Sequence, residues 1–246
     1  MCSIRPYKAE SDGLAHKAGG LTITCPHRFL ERGMVFEWVG ETMLGTKRPL
    51  VLKEIEFLQA TAHDVEAKEI GYIDEVLVRP GADRPGWCAL EFQAVYFSGS
   101  NMGIEFSAIR VAGGKPLYPT GDRRPDFRSS GPKRLMPQLQ IKIPTLRRWG
   151  KKMAVVVDEP FFDALGEMDK VSDISNCDIA WFVVRLREAE GRDARLDPAF
   201  VRFTTLERAV EGLTGGVPVT LKQFEDRLAS RIRKLHRDGA TPSSSR

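Results

Sequence analysis

Histidine, cysteine and long apolar runs are all scarce in this chain, and each scarcity closes off a class of protein. The four histidines, His16, His27, His63 and His236, share no common spacing, so neither a HEXXH-type zinc helix nor a His-Asn-His nuclease motif is supported. The four cysteines, Cys2, Cys25, Cys88 and Cys177, are far apart with no CxxC pair. That excludes a disulfide-dense secreted scaffold and makes reduced thiols the expectation. No apolar stretch approaches the roughly eighteen residues of a membrane span, and the opening MCSIRPYKAE lacks a signal-peptide core. A cytoplasmic protein with no membrane partner is expected. Nor is there a glycine-rich phosphate loop, since GGKP at 113–116 is too short for one.

What is present is enough for a substantial core: 246 residues, of which 42% are hydrophobic. The net charge of +4 is mild, and its distribution says more than its sum. From Phe127 to Val157 there is no Asp or Glu, while Arg128, Lys133, Arg134, Lys142, Arg147, Arg148, Lys151 and Lys152 all fall inside. A solvated face normally intersperses acids with bases, so this segment is a candidate for binding phosphate, and thus nucleic acid.

Residues 1–26 are irregular, broken by Gly13, Gly19, Gly20 and Pro26, and read as an arm that precedes the domain at 27–246. RFLERGMVFEWVGETML then spaces its apolar residues as an amphipathic helix with Gly33 as a weak point. Three strand-like segments follow at 51–58, 71–78 and 87–97, most economically as a meander. An irregular, Gly-, Pro- and Arg-rich excursion after Gly99 suits a DNA-facing loop. A basic helix opening near Pro137, buried strands at 153–162 and 178–186, and two C-terminal helices complete the chain. The fold class expected is α/β, with a central mixed sheet flanked by helices.

Within these strands lie polar residues that need an explanation. Glu91 and Gln93 sit two apart in WCALEFQAVYF and so share a face. Asp74 lies among Tyr72, Ile73, Val76, Leu77 and Val78. A carboxylate in such a setting requires a positive or hydrogen-bonding partner, and two nearby carboxylates repel unless a proton or cation intervenes. Magnesium, which prefers hard oxygen ligands, meets that requirement. A bland alternative pairs the acids with core-edge arginines and leaves Gln93 to satisfy backbone groups. Glu54, in KEIEFL, is a weaker third acid, equally readable as a solvated strand-edge carboxylate.

The order of helix, strand, strand with Asp74, strand with Glu91-Phe92-Gln93, basic helix and buried strands is similar to the PD-(D/E)xK nuclease core, except that Gln93 stands where lysine is usual. In that departure, and in ITCPHRFLERGMVFEWVGE, WCALEFQAVYFSG, RLMPQLQIK and WGKKMAVVVDEPFF, the chain resembles NotI-type restriction endonucleases. The resemblance spans residues 23 to 162. It implies a homodimeric, Mg²⁺-dependent type II enzyme that hydrolyses double-stranded DNA at a specific site, with Asp74 and Glu91 as metal ligands and Gln93 in the active site. It also implies a four-cysteine iron site upstream of the catalytic core, of which only Cys2 and Cys25 lie in the matching region. An isolated pair does not close a tetrahedral site, so the expectation is a partial iron site or two free thiols. The competing reading is a nuclease-derived DNA-binding module whose metal site has decayed. An enzyme acting on RNA is a third.

Overall fold

A computed structural model describes residues 3–4, 7–9, 15–17, 20–59, 69–81, 86–98, 102–113, 124–188, 194–215 and 219–237. The chain divides into two compact units, Met1–Gly215 and Gly216–Arg246. The first carries a short strand, β1 (Thr22–Ile23), and is built around six more: β2 (Leu50–Gln59), β3 (Glu69–Val78), β4 (Trp87–Phe92), β5 (Met153–Asp158), β6 (Ile179–Glu188) and β7 (Ala194–Thr204). Their order across the sheet is β7-β6-β5-β4-β3-β2. The β2-β3-β4 meander is antiparallel as expected, β5 lies parallel to both β4 and β6, and β7 returns antiparallel at the edge. This is the α/β class with a mixed central sheet.

Period-two alternation splits the core into two layers. Met153, Val155 and Val157 of β5, with Ile179, Trp181 and Val183 of β6, face a cluster that includes Leu139, Ile143 and Leu146 of a long helix. Ala154, Val156, Ala180, Phe182 and Val184 face the other way, against Ile23, Phe29, Val35 and Val39. Buried on both faces, these parallel strands read as the continuous apolar runs their sequence shows.

The helix expected over the RFLERGMVFEWVGETML stretch breaks at Gly33, which takes a left-handed φ of 70°. A 3-10 segment, Pro26–Gly33, precedes the break, and α1 (Met34–Leu44) follows it. Several other boundaries move. The segment 87–97 is not one strand: β4 stops at Phe92, and Tyr96–Phe97 pairs separately with Pro125–Asp126. The segment 153–162 ends as a strand at Asp158, whose side chain caps a short helix, Glu159–Asp163, by accepting from the Phe161 amide at 3.1 Å. The excursion after Gly99 contains a helix, α2 (Met102–Val111), while residues 114–123 lie outside the described residues.

The basic helix begins earlier than Pro137. A turn at Phe127–Ser130 and a π segment at Gly131–Leu135 run into α3 (Met136–Arg148), which passes through Pro144. Strand β7 was not anticipated, because Asp197-Pro198 reads as a breaker; an edge strand with an irregular register tolerates it. α4 (Leu206–Thr214) matches the expected TTLERAVEGL helix. In the second unit α5 (Leu221–Arg237) is an amphipathic helix whose Leu221, Phe224, Leu228 and Ile232 recur at helical spacing.

The expected arm does not stop short of the core at residue 26. Thr22 and Ile23 are buried, and the Ile23 amide donates to Asp158 Oδ2 at 2.6 Å.

Candidate active site

Alternation along β4 turns Trp87 and Ala89 toward the α3 layer and Cys88 and Leu90 toward the α1 layer. Glu91, the next residue in the first series, therefore points toward α3. It is 2% exposed. On β3, Glu75 pairs with Leu90 and Val76 with Ala89, so one further antiparallel step sets Asp74 beside Glu91. The sheet thus brings together two acids seventeen positions apart.

Their partner comes from the helix. Lys142, itself buried, donates from Nζ to Glu91 Oε2 at 2.7 Å, to Gln138 Oε1 at 3.0 Å and to Asp74 Oδ1 at 3.5 Å. Three N–H groups meet three oxygens, so the ammonium is saturated. Burial pushes the Glu91 carboxyl up, and the ammonium of Lys142 beside it pulls back down. The half-exposed Asp74 forms the outer member of the pair.

These groups floor a cleft of about 440 Å³, lined also by Thr24, Pro26, Gln93, Tyr96, Arg134 and Gln138. Arg134, Gln138 and Lys142 follow at four-residue steps, which places them on one face of the helical stretch. Beside them Leu135, Leu139, Ile143 and Leu146 run into the core. Arg134 stacks its guanidinium 3.6 Å over the Tyr96 ring at the cleft. Gln93 lies just past the end of β4, with its amide still held by Val156 O at 3.0 Å. Its Nε2 donates to Ala94 O at 2.6 Å. The bland reading of Gln93 is therefore met on its nitrogen, while the side chain lines the cleft.

Glu54 is exposed on the edge strand β2, in the unpaired step between Lys53↔Glu75 and Ile55↔Ile73, across from Asp74. Its φ of 53° is left-handed, a strained conformation for a residue with a Cβ. It does not join the other two acids in a ligand set. Among the described residues no three His, Cys, Asp or Glu side chains gather at one point.

The acid-free segment is not one positive surface. Lys142, expected to contact DNA phosphates, is instead the buried partner of Asp74 and Glu91. Arg147 meets two acids from distant sequence, Asp178 Oδ2 at 2.6 Å and Glu207 Oε1 at 3.1 Å. Lys152 donates to the carbonyls of Ser175 and Cys177 at 2.8 and 2.6 Å. Lys151 lies 5.2 Å over Trp87, and Arg148 donates to Thr145 Oγ1. Arg128, Lys133 and Arg134 are exposed.

Of the cysteines, Cys2 lies outside the described residues, and Cys25 is a partly exposed free thiol between the cleft-lining Thr24 and Pro26. Cys88 and Cys177 are buried thiols, pushed by burial up to about 12 and about 11. The residues that sequence reasoning missed are Thr24, Tyr96 and Gln138. The four-residue spacing of Arg134, Gln138 and Lys142 is a signal that could have found Gln138 and reassigned Lys142.

Among known families, the model of the restriction endonuclease NotI family aligns with residues 1–196. No curated protein matches the chain.

Proposed function

This chain belongs to the restriction endonuclease NotI family, and from that premise we propose that the cleft floored by Asp74 and Glu91 is where it hydrolyses DNA, with a divalent cation as cofactor. The family makes the chain a site-specific type II restriction endonuclease acting on double-stranded DNA. No helix among the described residues is long and apolar enough to cross a membrane.

The observation that carries the site assignment is the pairing of Asp74 with the buried Glu91 at the floor of a polar cleft. Their oxygens, with the Gln93 side chain beside them, are the hard donors that Mg²⁺ takes, and the cleft leaves room for waters and phosphate oxygens. These residues fit the ion. Asp74 and Glu91 would hold it, and when bound it supplies Lewis-acid polarisation of the phosphate and a more acidic attacking water.

The chain's own residues do the rest. Lys142 offsets the two like charges from behind, so the carboxylates stay together at a spacing set by the sheet. Gln138, its oxygen committed to Lys142, offers its amide nitrogen to the cleft. Gln93 spends its nitrogen on Ala94 and keeps its carbonyl oxygen to orient a water. Arg134, rigidified on Tyr96, donates to phosphate oxygens and opposes the charge that builds on them. Exposed Arg128 and Lys133 extend that contact along the backbone. Two cuts in a two-fold DNA site are made most simply by a two-fold pair of chains, so the working enzyme is a homodimer.

The test is incubation of the purified chain with genomic and plasmid DNA. Discrete fragments with Mg²⁺, none with EDTA, and none from Asp74→Asn or Glu91→Gln variants that still bind DNA are the expected result. Either variant cutting at near wild-type rate removes its residue from the site.

A further inference from the structure

Holding the two acids together does not exhaust what Lys142 does to the cleft. Its ammonium lies 2.7 Å from Glu91 Oε2 and 3.5 Å from Asp74 Oδ1, and Gln138 Oε1 takes the third N–H at 3.0 Å. The side chain is buried, so water and salt screen its charge little. Its place is also set firmly. Leu139, Ile143 and Leu146, on the same helix, are packed into the core, so the ammonium stays where α3 puts it.

The floor is therefore a small fixed set of charges, two carboxylates against one ammonium, and a single negative charge is left over. Other ionic groups nearby weigh less. Glu75 follows Asp74 in β3 and alternates to the opposite face, and Arg134 is exposed, so its charge is open to water. A divalent ion taken alone would leave the floor positive, beside a buried ammonium that repels it. A phosphodiester taken alone would meet a negative floor. Taken together, ion and phosphodiester balance the floor. With the ammonium gone, two carboxylates would neutralise the ion unaided.

We propose that Lys142 makes the binding of the divalent ion and the binding of DNA depend on one another: its fixed charge weakens the hold of Asp74 and Glu91 on the ion until a phosphodiester enters the cleft. Lys142 is in this sense a positioning residue that acts through the two acids by its charge, touching neither the ion nor the DNA. The coupling is reciprocal, so the ion tightens DNA by the factor by which DNA tightens the ion. This rests on the reading of the cleft as a metal-dependent nuclease site, and the experiment separates the two.

Ca²⁺, which seeks the same hard oxygens, is the probe. It is titrated calorimetrically into wild type, Lys142→Met and Asp74→Asn, each alone and with a duplex containing a site that wild type cuts. Melting temperatures are taken with and without Ca²⁺. For wild type the duplex should tighten Ca²⁺ about 10- to 100-fold, and Ca²⁺ should tighten the duplex equally. Lys142→Met should bind Ca²⁺ alone at least about tenfold more tightly than wild type, with little further gain from the duplex. Its melting temperature should also rise more on adding Ca²⁺ than that of wild type, because the ion replaces the missing counter-charge. Asp74→Asn should lose the binding. If Lys142→Met does not fold even with Ca²⁺, Lys142→Gln, which can still donate to Glu91, takes its place.

A neutral variant that binds Ca²⁺ alone no more tightly than wild type overturns the proposal and leaves the nuclease site standing. So does a variant that keeps the full coupling between ion and duplex. If neither variant folds, wild type decides, since equal Ca²⁺ affinity with and without duplex overturns the proposal. Asp74→Asn binding Ca²⁺ like wild type places the ion elsewhere, and both readings fall. If wild type cuts no DNA with Mg²⁺, the nuclease reading fails, and the titrations of the protein alone still judge the effect of Lys142 on the ion.

Discussion

A single lysine shows how differently one residue reads in sequence and in space. In the sequence Lys142 is one of eight bases in an acid-free run; in the structure it is the buried counter-charge of Glu91 and Asp74. Removing one member of a buried pair leaves the other uncompensated, whereas replacing both by apolar groups of similar size is often neutral. Lys142→Met should therefore lower stability by about 3–5 kcal/mol, and the double variant Lys142→Met, Glu91→Leu should recover most of it while remaining unable to cut DNA. Urea denaturation of the three proteins measures this. A double variant no more stable than Lys142→Met would mean that the lysine matters for something other than its pairing with Glu91.

At the scale of elements, the stretch from Phe127 through α3 divides its bases by what other elements place opposite them. Arg134 faces the cleft, whereas Arg147 is taken by Asp178 before β6 and Glu207 in α4. A phosphate contact releases counterions and an internal ion pair does not, so Arg134→Ala should reduce the slope of log affinity against log salt by about one. Arg147→Ala should leave the slope unchanged. As a half-exposed ion pair, it should change stability by no more than about 1 kcal/mol. Binding isotherms over a salt series decide, and a lowered slope for Arg147→Ala would restore it to the DNA surface. The acid-free run itself was visible in the sequence. Its neutralisation by Asp178 and Glu207 was not, because those acids lie 31 and 60 positions away.

At the scale of the molecule, Asp158 joins the sheet to the segment ahead of Pro26. Burial raises its carboxyl from 3.8 to about 6, against the pull of the Ile23 and Phe161 amides. The folded form holds the proton more tightly than the unfolded form. The stability from this group is therefore full below pH 3.8 and lost as pH rises through about 6. A shift of about two units corresponds to about 3 kcal/mol. Across that window wild type should lose about this much stability relative to Asp158→Asn, which does not titrate. Parallel pH profiles of the two proteins would mean that Asp158 has the same proton affinity folded and unfolded.

The sequence by itself determined the α/β class, the β2-β3-β4 meander, the family and the pair Asp74 and Glu91. The family rests on the resemblance of whole segments; the others are carried by local pattern: apolar periodicity, turn signals, and acids set within apolar strands. Where β4 stops, how β7 closes the sheet despite Pro198, and which bases meet acids were decided only by tertiary structure. Those outcomes depend on neighbours brought from far along the chain. The same holds for the cleft. Alternation in β4 could aim Glu91 at one face, but only the packing of α3 on that face supplied Lys142, and only the anchoring of Ile23 by Asp158 set Thr24 beside the floor. Local pattern records which residues belong in the interior, whereas the partner each one meets is a property of the folded chain.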